Sequence, residues 1–283
     1  MKRLTTLLFC LFLTIPQAKA QNVILLIADG AGPQHLECTA KENSLFLKTI
    51  TPTGKIITRS HSHEITDSAA SATAYSCGLK TINGYLGMDN NEKPCQTLAE
   101  LSSSLDYQTI IRTSDIVTGA TPAAFYAHTN SRYNTKEINS YLEKASQQMD
   151  IKSVKHIDSE IKSILTNLNN TNKKFFLMVE ESETDKQSHA NNLKQMKQAF
   201  IRFDNAVKEA YLFAQQNKNT TVIVLADHET GGLNSDCKYT SNNHTNTPIL
   251  YYAFGQQASL FTEPMLDNTK INHKIKSILT EQH

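Results

Sequence analysis

Short apolar runs that end on carboxylates or histidine set the limits on what this chain can fold into. NVILLIADG carries Val23 to Ala28 into Asp29, KKFFLMVEE carries Phe175 to Val179 into Glu180, and TVIVLADHE carries Val222 to Ala226 into Asp227 and His228. YQTIIRTSD is a weaker version built on Ile110 and Ile111. A run that is apolar at successive positions has no wet face, so it suits a strand covered on both sides, as in a parallel sheet.

Helical patterns lie between these runs. Ser68 to Cys77 closes at Gly78, a residue suited to the left-handed position after a helix. Residues 134–148 are polar, with Ile138, Tyr141, Leu142 and Ala145 on one face. From Asp185 to Gln215, Leu193, Met196, Phe200, Phe203, Val207 and Tyr211 recur at three- and four-residue steps. Alternating strands and helices predict an α/β fold, a three-layer α/β/α sandwich around a mostly parallel central sheet. The polar stretch 152–174 reads as a short peripheral excursion. No internal repeat or proline-rich linker divides the chain, so residues 21–283 are expected to form a single catalytic domain.

Residues 1–20 read as a secretory signal peptide. Lys2 and Arg3 precede an apolar stretch from Leu7 to Ile15 that is too short to span a bilayer, and Ala18 and Ala20 supply small residues at a cleavage site. Export to a periplasmic or extracellular compartment is the expectation, with no membrane association afterwards. Removing 20 of the 283 residues leaves 263, and removing Lys2, Arg3 and Lys19 leaves 25 basic against 27 acidic residues. A balance so near neutral gives no electrostatic footprint for nucleic acid. Four of the five cysteines remain: Cys38, Cys77, Cys95 and Cys237. An exported chain can pair them in three ways, with Cys77–Cys95 closing the shortest loop, or leave them as buried thiols.

In open α/β sheets, ligands bind beyond the carboxyl ends of the strands. Asp29, Glu180, Asp227 and His228 all fall there, and Asp185 and His189, spaced i, i+4, would share one helical face. Four carboxylates and two histidines at one edge exceed what turns and caps require. Without cations they would repel and some would protonate. Carboxylate oxygen with imidazole nitrogen is a ligand mixture that zinc accepts.

TDSAASATAYSCGLK gives this edge a nucleophile. Thr66 or Asp67 can cap a helix that places Ser68 in its first turn, where free amides and the positive dipole end attract anions. The small residues after Ser68 keep the helix slim. A serine hydroxyl needs a base or a metal before it attacks at neutral pH.

These blocks, with ATPAAFYAHTNSR and HTNTPILYYAFG, occur in an order that resembles the metal-dependent alkaline phosphatases over most of the chain beyond residue 20. The resemblance implies an alkaline-phosphatase-like fold and hydrolysis of small-molecule phosphate monoesters through a phosphoserine at Ser68. It implies two zinc ions and one magnesium ion. Asp29, Asp227 and His228 are similar to the ligands of the zinc that activates Ser68, with Asp29 bridging to magnesium. Asp185, His189 and His244 resemble the ligands of the second zinc, and Thr121 and Glu180 those of magnesium. Arg132 is similar to the arginine that clamps phosphate, and Asp67 to the residue that orients it.

The departures are specific. The acidic or histidine residue that the family places two positions before Thr121 is here Gly119, which bears on the third metal. The stretches 132–180 and 228–244 are shorter than in many relatives, so peripheral elements are reduced, the pocket is expected to be open, and a homodimer has little to support it. Lys186 could reach phosphate through water or be an ordinary solvated lysine. His35, His61, His63, His128 and His156 are read as structural or loop residues, with His128 expected on a helix, and Glu181 and Glu183 as supporting charges. Rival readings are a phosphodiesterase or sulfatase with the same metal centre and a noncatalytic phosphate-binding protein. Ser68 in place of threonine, and the absence of a Cys/Ser-x-Pro-x-Arg motif, favour the monoesterase.

Overall fold

The apolar runs form the centre of the sheet, and the segments Asn22–Ala28 and Phe175–Glu181 are buried at every position. The computed structural model describes residues 21–171 and 173–281; the expected signal peptide lies outside them. In chain order the first elements are β1 (Asn22–Ala28), α1 (Pro33–Ala40), β2 (Gly54–Ile57), α2 (Ser68–Cys77), α3 (Leu98–Ser104) and β3 (Gln108–Thr113). Next come α4 (Ala120–Ala123), α5 (Thr135–Ala145), β4 (Met149–Ser153), α6 (Ile157–Asn169), β5 (Phe175–Glu181), α7 (Glu183–His189) and α8 (Leu193–Gln216). The last are β6 (Thr220–Leu225), β7 (Glu229–Thr230), β8 (His244–Thr245), β9 (Ile249–Gly255), β10 (Met265–Asp267) and α9 (Thr269–Leu279).

The large sheet has the order β10-β2-β9-β6-β1-β5-β3-β4. The strands from β6 to β4 are mutually parallel, whereas β9 runs antiparallel to both β6 and β2. Helices α1, α6, α7 and α8 pack together on one face, and α2, α3, α4 and α9 on the other. This is the mostly parallel α/β sandwich that the apolar runs predict. Each core Leu, Ile or Phe taken fully from water contributes roughly 1.5–3 kcal/mol. No helix among the described residues is long and apolar enough to cross a membrane.

Register decides where the site forms. Ile27 pairs with Glu180 on one side and with Leu225 on the other, so β1, β5 and β6 end level. Asp29, Glu180 and Asp227 therefore arrive at one edge. Helix α2 begins there too. Its residues 68–76 are all buried, and it ends at Gly78 with φ 76°.

Three expectations change. Residues 152–174 are not a peripheral excursion: β4 extends the sheet, and α6 buries Ile157, Ile161, Ile164, Leu165 and Leu168. The polar residues of α6 are its solvent face, and they conceal a helical apolar stripe. The stretch 185–215 is two helices, broken where Asn191 takes φ 53°. His128 lies beyond α4 rather than on a helix, bonded to Gly87 O and Glu100. The cysteines form disulfides Cys38–Cys237 and Cys77–Cys95.

Candidate active site

Helix α2 is fixed against the end of β6 by its own short side chains. Ser71 Oγ donates to Asp227 O at 2.7 Å, and Tyr75 Oη donates to Ala226 O at 2.7 Å. Alanines at 69, 70, 72 and 74 allow this close approach. Asp67 is the cap, accepting from Ala70 N at 2.9 Å. Ser68 is then the first helical residue, 4% exposed, with its Oγ 3.3 Å from His228 Nε2. Arg132 Nη1 donates to Asp67 Oδ2 at 3.2 Å, which places the guanidinium beside the same helix start.

The histidines present bare nitrogens to this space. His189 Nδ1 faces Asn242 O at 2.6 Å and His244 Nδ1 faces Thr66 O at 3.0 Å. A carbonyl only accepts, so both Nδ1 atoms carry hydrogen, and each Nε2 is left to offer a lone pair to a cation or to take a second proton. Those two Nε2 atoms are nevertheless 3.1 Å apart, an arrangement that calls for a cation or proton between them. At His228, Thr230 Oγ1 spends its hydrogen on Asp185 Oδ1 at 2.5 Å and so accepts from Nδ1 at 3.2 Å. His228 Nε2 is left bare, 3.2 Å from Asp227 Oδ2 and 3.5 Å from Asp29 Oδ1.

Two groups of potential ligands emerge, Asp185 with His228 and His244, and Asp29 with Asp227 and His228. His189 joins the first, its Nε2 3.4 Å from Asp185 Oδ2. The rings of His228 and His244 stack at 3.7 Å between centroids. Next to them, Asp29, Glu180 and Thr121 offer oxygen alone. Asp29 Oδ1, Asp227 Oδ2 and Thr121 Oγ1 are buried without a hydrogen-bond partner among the described residues.

Proton affinities follow from this crowding. Burial first, then the charges of Asp227, Asp185 and Glu180, push Asp29 well above the usual carboxylate range. Burial raises Asp227 to about 6 against the Gly30 amide that bonds it. Burial raises Glu180 to about 7, opposed by the Thr113 hydroxyl and reinforced by the charges of Asp115 and Asp227. Burial also acts on Asp185, but the hydrogen bond from a protonated His189 outweighs it and holds that carboxyl low. The same bond raises His189 to about 9. His228 is held well below the imidazole range by burial and by His244. A buried group of acids held partly protonated, with bare imidazole nitrogens facing them, has the donor chemistry that divalent cations satisfy.

Of the residues singled out in the sequence, Asp29, Ser68, Asp185, His189, Asp227, His228 and His244 come together directly, with Asp67 and Arg132 beside Ser68. Glu180 and Thr121 lie alongside, Glu180 bonded by the Thr113 hydroxyl. Lys186 is not free in solvent but bonded to Asp115 at 2.6 Å. Sequence reasoning missed Thr230, which links the two ligand groups, and its position two residues after His228 was a usable signal. It also missed Thr113, Asp115 and Gly30. Gly30, at φ 72°, lets Asp185 approach, since a Cβ there would lie 2.7 Å from Asp185 Oδ1. The β7–β8 ribbon pairs Thr230 with His244 and so delivers a ligand from outside the main sheet.

The fold and the site together define a class of α/β proteins that gather serine, histidine and carboxylate side chains beyond the strand ends. The chain belongs to the alkaline phosphatase family, whose profile matches residues 20–165 and 157–238. Alkaline phosphatase 4 of Bacillus subtilis is 28% identical, with 83% of this chain and 66% of that protein covered. The alkaline phosphatase of Schizosaccharomyces pombe is 40% identical over 44% of this chain and 25% of its own length. The chain thus spans under two thirds of these two curated relatives. The solved alkaline phosphatase of the Antarctic bacterium TAB5 is 27% identical at a TM-score of 0.81, covering 94% of this chain and 100% of that one. A histidine-to-aspartate variant of the TAB5 enzyme has magnesium bound in its M3 site.

Proposed function

We propose that this protein is an exported phosphatase that hydrolyses phosphate monoesters through a covalent phosphoserine at Ser68. The observation that carries this reading is the placement of Ser68 Oγ, 3.3 Å from the bare Nε2 of His228 at a capped helix start, with Arg132 beside it. Asp29, Asp227 and His228 would hold one zinc, and Asp185, His189 and His244 the other. Asp29, Thr121 and Glu180 would hold magnesium, an ion that takes oxygen ligands. When bound, the zinc ions would supply positive charge favouring the serine alkoxide and the departing oxygen.

The chain's own residues do the rest. Arg132 neutralises two nonbridging phosphate oxygens with a forked guanidinium, oriented by Asp67. The amides of the first turn of α2 add a second anion-binding surface. Ser68 Oγ, having released its proton to solvent, bonds to phosphorus as the bond to the leaving oxygen breaks, and that oxygen takes a proton from solvent to leave as the alcohol. A water oxygen then bonds to phosphorus with loss of a proton as the Ser68 Oγ–phosphorus bond breaks, Ser68 Oγ regains a proton, and inorganic phosphate departs.

The names of the relatives support monoester hydrolysis, and the TAB5 variant supports a magnesium position. Export is supported by the residues 1–20 pattern and by the pairing of Cys38 with Cys237 and Cys77 with Cys95. The test is metal analysis of the purified full chain, with aryl monoester turnover measured before and after chelation. Zinc and magnesium should be present, and turnover should be lost on chelation and restored by both ions. Faster turnover of a diester would overturn the monoesterase reading.

A further inference from the structure

We propose that Asp115 supplies, beside the third metal position, the carboxylate that Gly119 cannot, and that it does so as an outer partner of the bound ion. The proposal rests on the reading that Asp29, Thr121 and Glu180 bind magnesium.

The geometry around Gly119 carries it. A Cβ built on Gly119 would lie 2.7 Å from Asp115 Oδ2 and 3.0 Å from Ile116 O. The Asp115 carboxylate therefore fills the space that a side chain at 119 would enter. Gly119 has φ −60° and ψ 159°, extended backbone that any residue adopts, so what glycine provides here is room and not an unusual conformation. Asp115 is also connected to the magnesium residues. Its amide donates to Thr113 Oγ1 at 2.8 Å, and that hydroxyl in turn donates to Glu180 Oε2. Two residues beyond Gly119, the Thr121 hydroxyl is 1% exposed and without a hydrogen-bond partner among the described residues.

The other carboxylate oxygen faces away. Asp115 Oδ1 lies 2.6 Å from Lys186 Nζ, directly after Asp185 on α7. Glu183 stands 3.5 Å from the same ammonium. Asp115 thus has one oxygen on the lysine and the other beside position 119, which ties the third metal position to the helix that carries Asp185 and His189. Magnesium keeps several of its waters when bound by few protein oxygens, and a carboxylate one water away orients them. Removing such an outer partner typically weakens metal binding 10–100-fold. Asp115 is a positioning residue in this sense.

The experiment titrates the zinc-loaded full chain with Mg2+ alone and follows the rise in unfolding temperature, a readout independent of turnover. Asp115→Asn should raise the Mg2+ concentration for half-maximal stabilisation about 10-fold. The double variant D115A/G119D, in which the shortened residue 115 makes room for a carboxylate carried on position 119, should recover most of that loss. D115A gives a second reading should D115N misfold. Loss in D115N with no recovery in the double variant would make Asp115 an ordinary partner of Lys186 and overturn the proposal. An unchanged midpoint in D115N, with the response abolished in Glu180→Gln, would also overturn it while leaving the third site standing. If Glu180→Gln too leaves the response intact, the magnesium reading itself falls.

Discussion

Arg132 is tied to Asp67 by a 3.2 Å hydrogen bond from Nη1 to Oδ2, while Oδ1 of the same carboxylate caps helix α2 through Ala70 N. One side chain thus orients Arg132, the proposed phosphate clamp, and starts the helix that presents Ser68. The two roles separate by substitution. Asp67→Asn keeps a capping oxygen and removes the charge facing Arg132, so stability should change by less than ~1 kcal/mol. A misplaced clamp should lower kcat/KM for an aryl monoester by about 10-fold or more. Asp67→Ala should lose the cap as well, costing a further ~1 kcal/mol. Urea unfolding and steady-state kinetics on both variants check this. Equal stability loss in the two would sink the division of labour.

Among the described residues the Ser68 hydroxyl makes one hydrogen bond, with His228, so it can be removed at little structural cost. Ser68→Ala should fold normally and lose turnover by at least ~10³-fold, the scale on which nucleophile deletions act. Acid-quenched protein should carry one phosphoryl group on the peptide containing Ser68, visible by mass spectrometry. A Ser68→Ala protein that still turns over, or a phosphoryl group found elsewhere, would remove Ser68 from the mechanism.

The sheet was legible because its central strands are apolar at consecutive positions, a pattern that only burial on both faces explains. The ends of β1, β5 and β6 also showed in sequence, since each apolar run stops at a carboxylate. What periodicity could not show is pairing across the chain. His244 reaches the site through the β7–β8 ribbon, a contact between Thr230 and His244 with no local signature; the family resemblance alone pointed to it. Asp115 was passed over for a similar reason: an aspartate in a loop after β3 reads as turn chemistry until Gly119 is seen to leave it room. Helix α6 hid its apolar stripe among serines, asparagines and acidic residues, which is what a half-exposed helix shows in sequence.

Asp29, Asp227 and Glu180 bury carboxylates with few neutralising partners, and that repulsion makes the metal-free protein the weaker fold. Chelation should therefore lower the unfolding temperature. Metal at 100 times its dissociation constant adds about 2.7 kcal/mol, or roughly 5–10 °C for a chain of this size. Scanning calorimetry of loaded, chelated and reloaded protein gives the comparison. A chelated protein as stable as the loaded one would mean that the buried acids are satisfied without cations.

Away from the ligands, His128 gives the fold a pH dependence of its own. Its Nδ1 faces Gly87 O at 2.7 Å and its Nε2 faces Glu100 Oε1 at 2.8 Å, so only the doubly protonated ring satisfies both acceptors. Burial works against that charge, but the bond to Glu100 and the Gly87 carbonyl prevail and raise the histidine above 6.5. Glu100, although burial raises it, is held below 4.5 by His128 and the Thr97 amide. A raised histidine contributes stability that is full below its unfolded value and lost as pH rises through the folded one. A lowered glutamate contributes stability that is present above its unfolded value and lost as pH falls through the folded one. The pair therefore stabilises most between about 4.5 and 6.5. Glu100→Gln keeps an oxygen for the Thr97 amide but removes the charge. Its stability deficit against the parent should be largest near pH 6, about 1 kcal/mol, and should shrink by pH 9. Urea unfolding of both proteins at the two pH values measures it, and a deficit that stays constant or grows toward pH 9 would rule out the charged pair.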